Sequence, residues 1–92
     1  MNKISAVIIT KNEQKNIRRC LNSLEGVVDE IIVVDSYSTD DTEKICKEFD
    51  IRFVKKEFED YSNSKNYGNS MAKHPFILSL DADEAISEEL KE

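Results

Sequence analysis

The sequence predicts an α/β fold, an open and mainly parallel sheet of about four strands with flanking helices. Short apolar runs alternate along the chain with segments whose apolar residues follow helical spacing. This alternation is typical of parallel strands joined by right-handed crossovers. No internal repeat, linker or low-complexity tract interrupts it, so we expect one domain over residues 1–92. The apolar run 76–80, which stops at Asp81, Asp83 and Glu84, is predicted to be a strand buried on both faces.

Composition excludes several classes of protein. Thirteen basic residues against nineteen acidic ones give a net charge of -6, which argues against a nucleic-acid-binding surface. Cys20 and Cys46 belong to no CxxC pair and are predicted to be small buried hydrophobic residues. The apolar run near Lys3 is too short for a signal peptide or a transmembrane segment. We therefore expect a domain that folds in the cytoplasm.

The first half of the chain predicts two strands with a helix between them. Residues 4–9 and 30–34 are β-branched, apolar runs that predict strands. Gly26 is predicted to end the intervening helix. One apolar face, with spacing i, i+3, i+4 and i+7, defines that helix: Ile17, Cys20, Leu21 and Leu24.

The second half repeats the pattern less regularly. Asp40 and Glu43 fit a capping box at the start of a second helix, whose inner face is Ile45, Cys46 and Phe49. Residues 51–54 alternate in polarity, which favours a strand near the sheet edge. Ser87 is predicted to cap a last helix. A helix before Pro75 is predicted from residues that share one side: Tyr61, Ser64, Gly68, Met71 and Ala72.

Polar residues follow three of the four predicted strands, at 10–13, 35–40 and 81–84. The opposite strand ends, near Lys3, Asp29 and Pro75, show no matching set of carboxylates and hydroxyls. With strand order 3-2-1-4, the three polar segments would face one crevice, where open parallel sheets bind ligands. Asp81 and Asp83 supply hard oxygen ligands that suit Mg²⁺ or Mn²⁺. The sequence therefore predicts a phosphate-ligand site with a metal ion, with Lys11 or Lys65 as a further cation.

Four blocks, at residues 7–13, 32–40, 64–66 and 80–84, together resemble glycosyltransferase family 2, most closely the bacterial glucosyltransferases of lipopolysaccharide or lipooligosaccharide core synthesis. The resemblance implies a truncated donor-binding domain over 1–92 with a GT-A type fold, which binds a nucleotide sugar, commonly UDP-glucose. It places Thr10, Asn12 and Glu13 in the nucleoside pocket and Asp35 on the uracil. The remaining implied positions are Ser38 and Asp40 in the loop beneath it, Lys65 near the diphosphate, and Asp81 with Asp83 as the DxD metal ligands.

The resemblance also implies the chemistry. An acceptor hydroxyl, on a glycan or glycolipid, attacks the anomeric carbon and inverts it, while the metal stabilises the departing UDP. The general base of the family lies beyond Glu92, so no catalytic residue is expected within the chain. Tyr37 stands where the family usually has glycine, which implies a strained or differently shaped loop. Ser64 stands where the family commonly has glutamine.

Two other functions fit parts of the sequence. Residues 77–83 resemble the nucleophile strand of haloacid-dehalogenase-type phosphotransferases, although that motif normally opens its domain and Ala85 stands where Thr or Val is usual. A non-catalytic nucleotide-binding module fits the same strand ends. A receiver-like domain around Asp35 would need paired acids after the first strand, where only Glu13 is present.

Overall fold

The computed structural model describes residues 3–57, 61–74 and 76–81. Strands and helices alternate through these ranges, and the strands form one parallel sheet of order β3-β2-β1-β4. The predicted fold class and strand order are confirmed. The elements are β1 (Ile4–Thr10), α1 (Ile17–Leu24), β2 (Glu30–Asp35), α2 (Thr42–Cys46), β3 (Arg52–Lys55), α3 (Tyr61–Met71) and β4 (Phe76–Asp81).

Strand register brings the polar strand ends to one edge of the sheet. Thr10 at the end of β1 lies opposite Asp35 at the end of β2. On the other side of β1, Ile9 lies opposite Asp81 at the end of β4. Because all three strands are parallel, Thr10, Asp35 and the backbone of Asp81 lie at the same end of the sheet.

The sheet is covered on both faces. On one face, α1 and α2 pack against alternate residues of β1 and β2. The predicted inner face of α1 is fully buried there, together with Cys46 of α2. On the other face, α3 packs on Val7, Ile32 and Val34. The hydrophobic core is therefore divided by β1 and β2, which are buried on both sides.

Gly68 sets how closely α3 approaches the sheet. A Cβ atom built on Gly68 would overlap Val7 Cγ1 and would lie 3.1 Å from Val34 Cγ2. Ser64, one turn earlier on α3, is also buried. Met71 and Ala72 pack against the same sheet face. The predicted inner side of this helix is thus confirmed for its described side chains, and small residues allow the close contact.

Three sequence predictions need correction. β4 is not buried on both faces, since Phe76 is 50% and Ile77 41% exposed. The reason is its position: β4 pairs only with β1 among the described residues and forms a sheet edge. The capping box is also wrong, because the Glu43 carboxylate pairs with Lys47 and Lys55.

The third correction concerns the opposite edge of the sheet, where no carboxylate and hydroxyl set was expected. Glu30 Oε1 accepts hydrogen bonds from Ser5 Oγ at 2.7 Å and from the backbone N–H of Lys73 at 2.9 Å. Asp29 Oδ2 accepts the backbone N–H of Ile4 at 2.8 Å. These carboxylates accept hydrogen bonds from donors at the amino end of β1 and from the segment just before β4. The predicted helix after Ser87 lies outside the described residues.

Candidate functional site

Asp35 lies at the polar end of the sheet, where the carboxyl ends of β1, β2 and β4 come together. Asp35 is 1% exposed. Its carboxylate accepts hydrogen bonds from Thr10 in β1 and from Ser38 in the loop after β2. Oδ1 accepts the hydroxyls of Thr10 and Ser38, each at 2.6 Å. Oδ2 accepts the backbone N–H of Ser38 at 2.8 Å. A carboxylate has about four acceptor positions, so these three bonds leave one on Oδ2.

The loop after β1 is joined to the loop after β2 by a second set of bonds, centred on Asn12. The Asn12 N–H donates to Ser38 Oγ at 2.8 Å. The Ser38 hydroxyl thus accepts one hydrogen bond and donates another to Asp35. Asn12 Oδ1 accepts the N–H groups of Thr39 at 2.7 Å and Asp40 at 3.3 Å. The two loops therefore form one unit, which we call the paired loops (residues 11–16 and 36–41).

Asp40 holds the outer part of the paired loops. Its Oδ1 accepts the backbone N–H of Thr42 at 2.9 Å and the Thr42 hydroxyl at 2.5 Å, and its Oδ2 accepts the Gln14 N–H at 3.2 Å. Partial burial acts to raise the pKa of the Asp40 carboxyl, but the hydrogen bonds from Thr42 and Gln14 outweigh it. The pKa of Asp40 is therefore lowered, and the carboxylate is stabilised in its charged form.

Glu13 lies in the loop before α1 and contacts the same network. Its N–H donates to Thr42 Oγ1 at 2.9 Å, and its carbonyl accepts the N–H of Ile17 at 2.8 Å. Its side chain accepts Asn16 Nδ2 at 3.1 Å. Glu13 is half-buried, so it belongs to the frame of the site as well as to its surface.

Lys11 is hydrogen-bonded to the backbone of the loop after β2. Its Nζ donates to the carbonyl of Ser36 at 2.9 Å and to that of Tyr37 at 3.2 Å. An ammonium group has three N–H donors, and two are used by these carbonyls. The sequence allows Lys11 as a phosphate-binding cation, whereas the structure shows a positioning contact that the sequence pattern did not indicate.

Both loops contain a residue in the left-handed region. Asn12 has φ 53° and Tyr37 has φ 52°. Asn tolerates this conformation, whereas for a bulky residue it costs about 1–2 kcal/mol. The implied strain at Tyr37, where the family usually has glycine, is therefore present. The Tyr37 ring is 55% exposed beside Asp35 and Ser38.

The metal and diphosphate positions are described only in part. The backbone of Asp81 lies at the same edge as Asp35, and the backbone of Lys65 lies in α3 on the β1–β2 face. Asp83 lies outside the described residues. Within residues 3–57, 61–74 and 76–81, no three carboxylate, imidazole or thiol groups converge to hold a metal ion.

Sequence reasoning missed two members of the site. Thr42 is fully buried, and its hydroxyl links Glu13 to Asp40. Gln14 accepts the N–H of Asp41 through Oε1 at 2.9 Å. They lie just after the polar segments 10–13 and 35–40, and sequence gives no distance between these two parts of the chain. The cross-loop partners are visible only once β1 and β2 are paired in register.

Comparison with known proteins decides the family. The family model for glycosyl transferase family 2 matches residues 5–92. The chain belongs to glycosyltransferase family 2. A glycosyltransferase of Rickettsia felis, named as uncharacterized, is 46% identical over 100% of this chain and 32% of its own length. The lipopolysaccharide core biosynthesis glycosyltransferase LpsC of Rhizobium meliloti is 33% identical over 97% of this chain and 34% of its own length.

A solved structure shares the fold of this chain. The crystal structure of S. aureus TarS 1-349 in complex with UDP aligns with a TM-score of 0.75 and 28% identity, over 94% of this chain and 29% of that one. The GT-A assignment implied by the sequence is thereby supported by architecture as well as by sequence. The chain spans about a third of the length of these family 2 relatives. In the part of the chain that the structure describes, no helix has the length and apolar character needed to cross a bilayer.

Proposed function

We propose that these 92 residues form the donor-binding part of a nucleotide-sugar-dependent, inverting glycosyltransferase. The supporting observation is the hydrogen-bonded group of Thr10, Asp35 and Ser38 at the carboxyl ends of adjacent parallel strands. Ligands of open α/β sheets bind at such ends, beside the point where strand order reverses. Here that point is β1, from which the chain continues to β2 on one side and later to β4 on the other.

The proposed donor is a UDP-sugar, with UDP-glucose as the first candidate. The remaining acceptor position on Asp35 Oδ2 suits the N3–H of uracil, while Thr10, Asn12 and Glu13 surround the nucleoside. Asp35 is 1% exposed, so this contact requires a small outward shift of residues 36–41. The UDP bound to TarS supports the nucleotide, and the name of LpsC supports a cell-envelope glycan or glycolipid as acceptor.

Asp81 and Asp83 would hold the divalent ion, Mn²⁺ or Mg²⁺. The donor set fits, because both side chains are carboxylates and Asp81 lies at the same sheet edge as Asp35. When bound, such an ion neutralises the diphosphate and stabilises charge on the leaving group. Lys65 is proposed near the same diphosphate. The paired loops hold the nucleoside while Ser38 and Asp40 fix the loop that follows β2.

The resemblance places the general base after Glu92, so we propose that the 92 residues alone bind donor without transferring the sugar. Such a protein would be located in the cytoplasm, in some cases at the inner membrane surface. The alternative, a non-catalytic nucleotide-binding module, has the same binding site but no transfer in any longer form of the protein. A covalent aspartyl-phosphate on Asp81 would instead favour a phosphotransferase.

A titration of UDP with and without Mn²⁺, followed by backbone amide chemical shifts, tests the proposal. We expect shifts at Thr10, Asn12 and residues 35–40, and tighter binding when Mn²⁺ is present. The Asp35→Asn variant should bind UDP more weakly. Asp29→Asn is the matched control, since Asp29 also accepts a backbone N–H but at the opposite edge of the sheet. Shifts restricted to residues near Asp29 would refute the assigned site.

A further inference from the structure

Tyr37 has a backbone that is held in place on both sides. Before it, the Ser36 N–H donates to the Thr10 carbonyl at 2.9 Å. After it, the Ser38 N–H donates to Asp35 Oδ2 at 2.8 Å. Lys11 Nζ donates to the carbonyl of Tyr37 itself at 3.2 Å. These bonds fix the backbone of Tyr37 relative to Asp35, and the outward shift proposed for residues 36–41 would move Tyr37 together with its loop.

The ring of Tyr37 is not used by the hydrophobic core. It is 55% exposed and belongs to neither core cluster of the described residues. Glycine at this position would adopt φ 52° without a steric penalty. A tyrosine is thus kept in an unfavourable conformation where its ring contributes little to packing. Strained residues of this kind concentrate at ligand sites.

The surroundings of the ring indicate which part of a ligand it would meet. Asp35 lies opposite Lys55 in the register of β2 and β3, and Tyr37 follows Asp35 by two residues along the chain. An exposed aromatic residue thus stands in the loop that follows the carboxylate proposed to bind the base.

We propose that Tyr37 is a stacking platform for the pyrimidine base of the donor and thereby a specificity-determining residue. This inference rests on the proposed function. A flat base has a π-face that stacks on an aromatic ring, whereas a diphosphate is a charged group with no such face. Asp35 accepts the N–H at the edge of the base, and Tyr37 covers one of its faces. The left-handed backbone of Tyr37 sets the direction in which its side chain leaves the loop.

The test compares UDP dissociation constants, in the presence of Mn²⁺, for the unchanged full chain and two variants. Tyr37→Gly removes the ring and the strain together, so it should weaken UDP binding about tenfold, as expected for the loss of one base-stacking contact. The same variant should unfold at a higher temperature, which excludes misfolding as the cause. Tyr37→Phe keeps the ring and should bind within about twofold of the unchanged chain.

A control variant and a second probe separate stacking from general effects. Phe76→Leu changes another half-exposed aromatic residue, at the far end of the sheet, and should leave UDP binding unchanged. Inorganic pyrophosphate with Mn²⁺ lacks a base, so its affinity should be equal for the unchanged chain and Tyr37→Gly. Equal UDP affinities for the unchanged chain and Tyr37→Gly would overturn the stacking role but not the proposed donor. A loss of pyrophosphate affinity in Tyr37→Gly as large as its loss of UDP affinity would do the same. Failure of the unchanged chain to bind UDP would overturn the proposed donor together with it.

Discussion

The hydroxyl of Thr10 donates a 2.6 Å hydrogen bond to the carboxylate of Asp35, across the ends of the two central strands. Both residues are 1% exposed, so the bond is formed away from water. A buried carboxylate is costly unless its oxygens are paired. The bond therefore stabilises the fold and fixes the position of the proposed base-binding group at the same time.

Replacement of Thr10 by valine should lower the free energy of unfolding by about 1.5–3 kcal/mol, the range for hydrogen bonds to charged groups. The side chains have similar shape, so the change removes the donor with little change in packing. Urea denaturation measures the effect. Thr39→Val is the matched control: Thr39 is exposed and its hydroxyl lies 3.4 Å from Asn12 Oδ1, so a change within about 0.5 kcal/mol is expected. Equal losses for the two variants would contradict the role given to Thr10.

Gly68→Ala should destabilise the protein by about 1–3 kcal/mol through overpacking. Alanine is the better helix former by about 1 kcal/mol, but its Cβ would overlap Val7 Cγ1. Thermal or urea unfolding provides the measurement. Asn66→Ala, at an exposed position of α3, should be neutral or slightly stabilising. The double variant Val7→Ala/Gly68→Ala should lose less unfolding free energy than the sum of the losses in the two single variants, because the shorter side chain at residue 7 makes room for the new Cβ. A loss equal to that sum would argue against the contact.

The lowered pKa of Asp40 predicts a dependence of stability on pH. Because the folded pKa lies below the ordinary value of 3.8, the charged carboxylate contributes its full stabilisation above that pH. The contribution is lost as the pH falls through the folded pKa. The difference in free energy of unfolding between the unchanged protein and Asp40→Asn should therefore narrow as the pH is lowered from 6 toward about 2.

Asp41→Asn is the control for this pH experiment. It makes the same chemical change one residue later, and the Asp41 side chain forms no capping hydrogen bond to α2. Its effect on stability should be small and should vary less with pH. A constant difference for Asp40→Asn between neutral and acidic pH would show that its hydrogen bonds do not favour the charged form.

The buried cysteines should resist thiol reagents in the folded protein. Burial, the main cause, raises the pKa of Cys46 to about 12, with smaller contributions from nearby Asp35, Cys20 and Glu43. Since the thiolate is the reactive form, labelling at pH 8 should be far slower than that of an unfolded chain. Mass spectrometry of iodoacetamide-treated protein, with and without denaturing urea, measures both sites. Rapid labelling of Cys46 without urea would contradict its burial between α2 and the sheet.

The sequence was sufficient for the fold because periodicity is a local property. The helical spacing from Ile17 to Leu24 and the runs that form β1 and β2 predict their elements directly. Polar residues after the strands also predict that Thr10 and Asp35 lie at the same end of the sheet. That β4 is an outer strand of the sheet is not predictable in the same way. The run 76–80 has the same apolar composition whether or not another part of the protein covers it.

The contacts within the site depend on tertiary register, which spacing along the chain does not give. The sequence offers Lys11 as a cation for a phosphate ligand, yet its ammonium donates to two carbonyls of the opposite loop. Asp40 and Glu43 have the spacing of a capping box, but Lys55 from β3 competes for Glu43. Tyr37 is the exception: a tyrosine where the family usually has glycine predicts a strained or differently shaped loop, and the structure has the strained form.

The strand order has a consequence for how the sheet opens. β1 is bonded on both sides, whereas β3 and β4 are each bonded on one side only within the described residues. Amide hydrogens of β1 should consequently exchange with deuterated solvent only through global unfolding, and those of β4 through smaller openings. The two halves of the proposed site would then differ in local stability, with Thr10 on the slowest-exchanging strand and Asp81 on a faster one.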